Sequence, residues 1–178
     1  MALKATVYKA HLQISDMDRN YYHNHALTLA QHPSETIERM MIRLLVFALH
    51  ADDDLAFTRG LSSSDEPDLW LKLPGDEIDL WINLGQPDEK RLRKACGRAR
   101  EVYIYTYDQR SAQVWWKQIN SKLNRFDNLH IIALPGDTGA SLAQLAQRSM
   151  TLQCSIQDHE IWLGDDRHNV HVVPDVLK

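Results

Sequence analysis

The chain has 178 residues, 44% of them hydrophobic and 25% charged, which is the balance of a globular protein able to bury a real core. With 20 Lys and Arg against 24 Asp and Glu, its net charge of −4 excludes coating of nucleic acid by bulk charge and leaves room only for a local basic patch. No apolar run is long enough for a membrane span, and Met1–Ala5 leads straight into strand-like sequence, so a cytoplasmic protein with no membrane partner is expected. Cys96 and Cys154 lack CxxC spacing and are expected as reduced, inert, buried thiols.

In chain order, β formers alternating over 4–14 and again over 21–30 predict two strands, separated by the turn-like 15–18. His32-Pro33-Ser34 then stops the second strand. Ser34 is the expected N-cap of a helix, with Glu35 and Glu38 complementing the dipole of its first turns. Ile37, Met40, Met41, Leu44, Leu45, Ala48 and Leu49 recur at helical spacing. A strand over 55–59 precedes a hairpin, and Gly85-Gln86-Pro87 precedes a helix beginning at Asp88 with Leu92, Ala95, Cys96 and Ala99 as its buried stripe. A strand over 101–107, a helix over 111–123 and a strand over 129–134 follow. The chain ends with a short helix over 141–148 and strands near 151–157, 160–163 and 168–173.

The hairpin runs Asp68-Leu69-Trp70-Leu71-Lys72, turns at Pro74-Gly75-Asp76, and returns as Ile78-Asp79-Leu80-Trp81-Ile82-Asn83. A four-residue loop between Leu73 and Ile78 would pair Lys72 with Asp79, Trp70 with Trp81 and Asp68 with Asn83. One face is then all Leu and Ile, while the other carries two carboxylates, a lysine, an amide and two indoles. Asp68, Asp79 and Lys72 are residue types suited to metal-assisted phosphodiester hydrolysis. In this register, however, Asp79 lies roughly 13 Å along its strand from the residue opposite Asp68. A cross-strand ion pair and the wet side of an open sheet explain the same residues without chemistry.

Because antiparallel hairpin strands are followed by crossovers through helices, the class is α/β, or α+β by strict count, with a mixed central sheet flanked by helices. One domain spanning 1–178 is expected, its core over about 34–135. The strands within 4–30 and 150–174 pair with each other as an added sheet or barrel-like layer. Lys90, Arg91, Arg93, Lys94, Arg98 and Arg100 form a basic stretch that is either a solvated helix face or a nucleic-acid contact. His23 and His25, and separately His159, His168 and His171, come without CxxC or HExxH and define no zinc motif. Trp115 and Trp116 are expected in the core. Ser62, Ser63 and Ser64 form a loop without a GxSxG elbow, and GxGxxG and GxxxxGKS are absent.

Taken together, Ala2-Leu3-Lys4-Ala5-Thr6, Leu27 through Thr36, Phe57-Thr58-Arg59-Gly60-Leu61, Asp65-Glu66-Pro67, Ile78 through Ile82, Pro87-Asp88-Glu89, Trp115-Trp116 and Met150 through Gln153 resemble the YaeQ family of bacterial proteins over almost the whole chain. The resemblance implies a variant of the PD-(D/E)xK restriction-endonuclease-like fold. It implies that Asp68 stands for the PD aspartate and that the second acid is Asp79 or falls at position 83, where this chain has Asn83. The motif lysine is missing, since Trp81 lies two residues beyond Asp79 and Gly85 two beyond Asn83; Lys94 from the next helix is the candidate replacement.

Two functions follow as expectations. The first is a nuclease-like phosphodiesterase in which Asp68 and Asp79, helped by Glu38 and Asn83, hold Mg²⁺ or Mn²⁺ while Lys94 assists hydrolysis of DNA or RNA. The alternative is a non-catalytic nucleic-acid- or protein-binding module that keeps the fold.

Overall fold

The computed structural model describes residues 4–63 and 65–178, so Met1, Ala2, Leu3 and Ser64, named above, lie outside the described residues. The elements are β1 (Thr6–Asp16), β2 (Tyr21–Gln31), α1 (Ile37–Leu49), β3 (Leu55–Phe57), a 3₁₀ turn (Gly60–Ser62), β4 (Leu69–Lys72), β5 (Ile78–Leu84), α2 (Glu89–Arg98), β6 (Ala99–Thr106), α3 (Gln109–Leu123), β7 (Leu129–Ala133), α4 (Thr138–Ala143), β8 (Ser149–Gln157), β9 (Glu160–Gly164), β10 (Asn169–Val172) and β11 (Asp175–Val176). They form a mixed α+β structure with two mixed sheets. Two compact units result: Met1–His50 with Asp137–Val173, and Ala51–Gly136 with Pro174–Lys178.

In the first unit the two ends of the chain meet, as their alternation predicts. The sheet order is β10-β9-β8-β1-β2, and β1 runs parallel to β8 from the pair Lys9 and Ser149 to the pair Asp16 and Ile156. Ala10, Leu12 and Ile14 face the interior beside Met150, Leu152 and Cys154, and all six are buried. The expected barrel-like closure does not occur. The sheet is open, with β2 and β10 at its edges, because β2 pairs along its whole length with β1 and with no second strand among the described residues. Asp18, in the turn between β1 and β2, accepts the N–H groups of Asp158 and His159 at 2.8 Å each, tying this turn to the one between β8 and β9.

Helix α1 differs at its start from the expected form. Its N-cap is Thr36, whose hydroxyl accepts from the Arg39 N–H at 3.1 Å, whereas the Ser34 hydroxyl lies 2.6 Å from Nδ1 of His32. Glu35 is therefore outside the helix and does not serve its dipole. Its buried carboxylate is clamped by Arg43 at 2.6 and 2.9 Å and by Arg39 at 2.7 Å. Arg43 also donates to the carbonyl of Ala30, so the clamp joins α1 to the end of β2. Ile37, counted above in the apolar stripe, is exposed, and burial runs unbroken from Met40 to Ala48.

The second unit has the order β11-β7-β6-β5-β4-β3, with β5, β6 and β7 parallel and the other pairings antiparallel. Asp88 and Asp108 cap α2 and α3 through their carboxylates. Leu92 and Ala95 of α2, with Ile119 and Leu123 of α3, pack on Trp81, Val102, Ile104 and Ile131 of the sheet. The two-residue β11 was not foreseen, being too short to carry a period-two signal.

Breaking a buried ion pair leaves an uncompensated charge, so Arg43→Ala is expected to lower unfolding free energy by roughly 3 kcal/mol, read as a shifted denaturant midpoint. Burial pushes the Cys96 thiol up to about 11 and that of Cys154 up to about 12. Labelling by a thiol reagent near pH 8 is expected to run on the order of a hundredfold slower than that of free cysteine at Cys96 and on the order of a thousandfold slower at Cys154.

Candidate functional site

The hairpin face weighed as a metal site or as the wet side of a sheet is covered at Asp68, Trp81 and Asn83, while Lys72 stays exposed. Leu69 pairs with Ile82, Trp70 with Trp81 and Leu71 with Leu80, as anticipated, but the register then shifts and Lys72 pairs with Ile78. A bulge at this point takes Asp79 out of the pairing with Lys72. Left-handed backbone at Gly75 (φ 85°) and Asp76 (φ 64°) and a 2.7 Å bond from the Leu73 N–H to the Glu77 carbonyl close the turn one residue tighter than the alternation suggested. The Lys72 ammonium lies 4.0 Å from the centre of the Trp70 ring. Asp79 instead faces Arg100 at 3.8 Å, and both side chains are about half exposed.

On the same face Trp81 is buried in the core against α2 and α3, with Trp70 packed alongside. Asp68 and Asn83 are the polar groups enclosed with it, at 3% and 5% exposure. Oδ2 of Asp68 accepts the N–H of Leu84 at 2.8 Å, and Oδ1 of Asn83 accepts the indole N–H of Trp81 at 2.7 Å. Both acceptors are thus engaged by the scaffold. Upstream, the Thr58 hydroxyl donates to the Pro67 carbonyl and accepts the Gly60 N–H, folding the loop so that a Cβ on Gly60 would stand 3.4 Å from Oδ1 of Asp68.

The structure therefore brings Asp68 and Asn83 together and keeps Asp79 apart, four residues from Asn83 along β5 and paired with Arg100. Lys94 is exposed and forms an ion pair with Asp65 at 2.9 Å. The Asp65 carboxyl, hydrogen-bonded by that ammonium, is held below the usual carboxylate range. Glu38 belongs to the first unit, where its Cβ would lie 3.2 Å from one placed on Gly139. His25 lies 2.6 Å from the Tyr21 hydroxyl through Nε2 and packs edge-on to Phe47. Among the described residues no three His, Cys, Asp or Glu side chains gather into one group.

A second feature is the charge of the helical layer. Helices α2 and α3 together carry Lys90, Arg91, Arg93, Lys94, Arg98, Arg110, Lys117 and Lys122, and their single acid is Glu89. Glu89 is occupied by Arg125 at 2.9 Å and Lys122 at 3.9 Å. Lys94 is paired with Asp65, and Arg98 donates to the Asp65 carbonyl while lying over the Trp81 ring. Arg100, at the start of β6, is paired with Glu77 at 2.8 Å. Lys90, Arg91 and Arg93 of α2 and Arg110 and Lys117 of α3 stay exposed, without a carboxylate partner among the described residues. Sequence reasoning found the α2 part. It missed Arg110 and Lys117, for which the available signal was a fifteen-residue helix without one acidic residue. Trp115 and Trp116 pack only partly into the core, and the Trp115 indole donates to the Pro87 carbonyl at 2.9 Å.

The model of the family described as YaeQ protein matches residues 1–174. The chain belongs to the YaeQ family. It is 52% identical over 172 residues to proteins named "Uncharacterized protein YaeQ" from Escherichia coli (strain K12) and Salmonella typhi, covering 97% of this chain and 95% of each relative. The crystal structure of YaeQ protein from Xanthomonas axonopodis pv. citri is similar to it with a TM-score of 0.95 at 52% identity, over 98% of both chains. That of YaeQ protein from Pseudomonas syringae gives a TM-score of 0.92 at 36% identity, over 98% of this chain and 96% of the other. No helix among the described residues is long and apolar enough to cross a membrane.

Removing the Asp68 carboxylate strands a buried N–H, so Asp68→Ala is expected to lower unfolding free energy by roughly 1–3 kcal/mol. Asp68→Asn, which keeps an acceptor oxygen, is expected to lose less than half of that in the same denaturant titration.

Proposed function

We propose that this chain is a non-catalytic nucleic-acid-binding protein on a nuclease-like scaffold, and that the α2–α3 layer is its contact surface for the phosphate backbone. The observation that carries the proposal is the concentration of eight basic residues against one acid on two adjacent helices, in a chain whose net charge is negative. Lys90, Arg91, Arg93, Arg110 and Lys117 supply cations that no internal partner neutralises among the described residues. Phosphates meeting such a surface release condensed counterions, which is a sequence-independent source of affinity.

The six-stranded sheet with α2 and α3 is consistent with a variant PD-(D/E)xK core from which the reactive set has departed. Asn83 stands where a second acid would be needed, and Asp68 is committed to the Leu84 N–H. Lys94 is committed to Asp65. Mg²⁺ or Mn²⁺ held by Asp68 with Asp79 would require both to leave these partners.

Fluorescence anisotropy with a labelled duplex about 20 base pairs long tests the reading. With five free cations, affinity is expected to fall by roughly several hundredfold between about 50 and 200 mM salt. Lys90→Ala and Arg93→Ala are each expected to reduce the slope of log affinity against log salt by about one. Chelation of divalent metal is expected to leave binding unchanged. A flat salt dependence would overturn the proposal in favour of a protein partner. Metal-dependent cleavage abolished in Asp68→Ala would overturn it in favour of the phosphodiesterase.

A further inference from the structure

The first unit contains an open stretch of strand edge that the nucleic-acid reading does not use. β9 pairs with β8 only from Glu160 opposite Gln157 to Gly164 opposite Gln153, after which the chain turns toward β10. The start of β8, Ser149 to Leu152, therefore has a strand partner on its β1 side alone among the described residues.

Ladder geometry shows which backbone groups this leaves over. Lys9 donates its N–H to the Arg148 carbonyl at 2.9 Å, so residue 148 faces β1. In a parallel ladder alternate residues direct both backbone groups to the same neighbour, so Met150 and Leu152 also face β1. Ser149 and Thr151 then direct N–H and C=O away from it, toward the line that β9 would have occupied. A cavity of about 380 Å³ fills that line, within the size range of small-ligand sites. Leu145, Met150 and Leu152 contribute apolar wall, and Ser149 and Thr151 the polar edge. Asp165 and Asp166 stand at the end nearest Gly164, and no basic residue lines the cavity. Oδ1 of Asp165 accepts the N–H groups of Arg167 and His168 at 2.8 Å, which fixes the turn, while Asp166 is exposed.

We propose that this gap binds the amino-terminal two or three residues of an extended peptide, which prolongs the line of β9 by pairing antiparallel with Ser149 and Thr151 and sets its α-ammonium beside Asp165 and Asp166. Backbone pairing supplies the affinity common to strand addition. The carboxylates choose the direction: a peptide antiparallel to β8 begins at Gly164 and presents its ammonium to them, whereas a parallel one would present a carboxylate and be repelled. Alternate side chains of such a strand face opposite sides, so one of the first two residues meets the Leu145, Met150 and Leu152 wall and is apolar.

The test uses ¹⁵N-labelled full-length protein and two synthetic probes, Ala-Val-Thr amide with a free amino group and its N-acetylated form. In the free protein the Ser149 and Thr151 amides are expected to exchange with solvent much faster than those of Met150 and Leu152. The free-amine probe is expected to shift and protect those two amides, and acetylation to weaken binding by about tenfold. Asp166→Asn, an exposed turn substitution, is expected to cost the free-amine probe a similar factor and the acetylated probe nothing. Equal protection of all four amides in the free protein, no response to the free-amine probe at about millimolar concentration, or indifference to acetylation would each overturn the proposal.

Discussion

The hydrogen bond from the Leu84 N–H to the buried carboxylate of Asp68 is the constraint around which the second unit is organised. Immediately before β4 the Asp68 backbone donates to the Ile82 carbonyl and accepts from the Thr58 N–H, so one residue ties together the incoming loop, the start of β4 and β5. A carboxylate enclosed at 3% exposure is stable there only because it is met by donors. Under the proposed function that structural commitment keeps it in the scaffold, with Asn83 beside it spending its own oxygen on the Trp81 indole.

With the acid engaged inside, the unbalanced charge of the unit lies on the outside of the helices that cover it. The apolar stripes of α2 and α3 face Trp81, Val102 and Ile104, which leaves their basic residues on the opposite side by helical periodicity alone. Internal carboxylates neutralise part of this layer, through Asp65 with Lys94 and Glu89 with Lys122 and Arg125, and leave Lys90, Arg91, Arg93, Arg110 and Lys117 to solvent. The same architecture thus explains a sealed polar pair inside and an unbalanced positive surface outside.

Much of this was legible in the sequence, and where it was not, the reason is physical. The order of elements followed from periodicity, and the central pairs of the hairpin followed from matching Leu69, Trp70 and Leu71 to Ile82, Trp81 and Leu80. The bulge beyond Leu71 did not, because alternation fixes which face a residue takes but cannot count an extra residue between ladder bonds. Nor could alternation reveal what lies over a face: Trp81 is buried under two helices, with Trp70 partly buried beside it. The pairing of the chain's ends was readable from its β-rich segments, whereas the Glu35 clamp was hidden because Arg43, eight residues away, sits within an apolar helical run.

Manganese relaxation is the most direct measurement of the central claim, that the Asp68 carboxylate belongs to the scaffold and not to a metal site. Titrating Mn²⁺ into ¹⁵N-labelled protein should broaden only exposed acidic surface, with the Asn83 and Leu84 amide signals retained. Saturable loss of those two signals at stoichiometric Mn²⁺, absent in Asp68→Asn, would contradict the account and restore a cation to the end of the sheet.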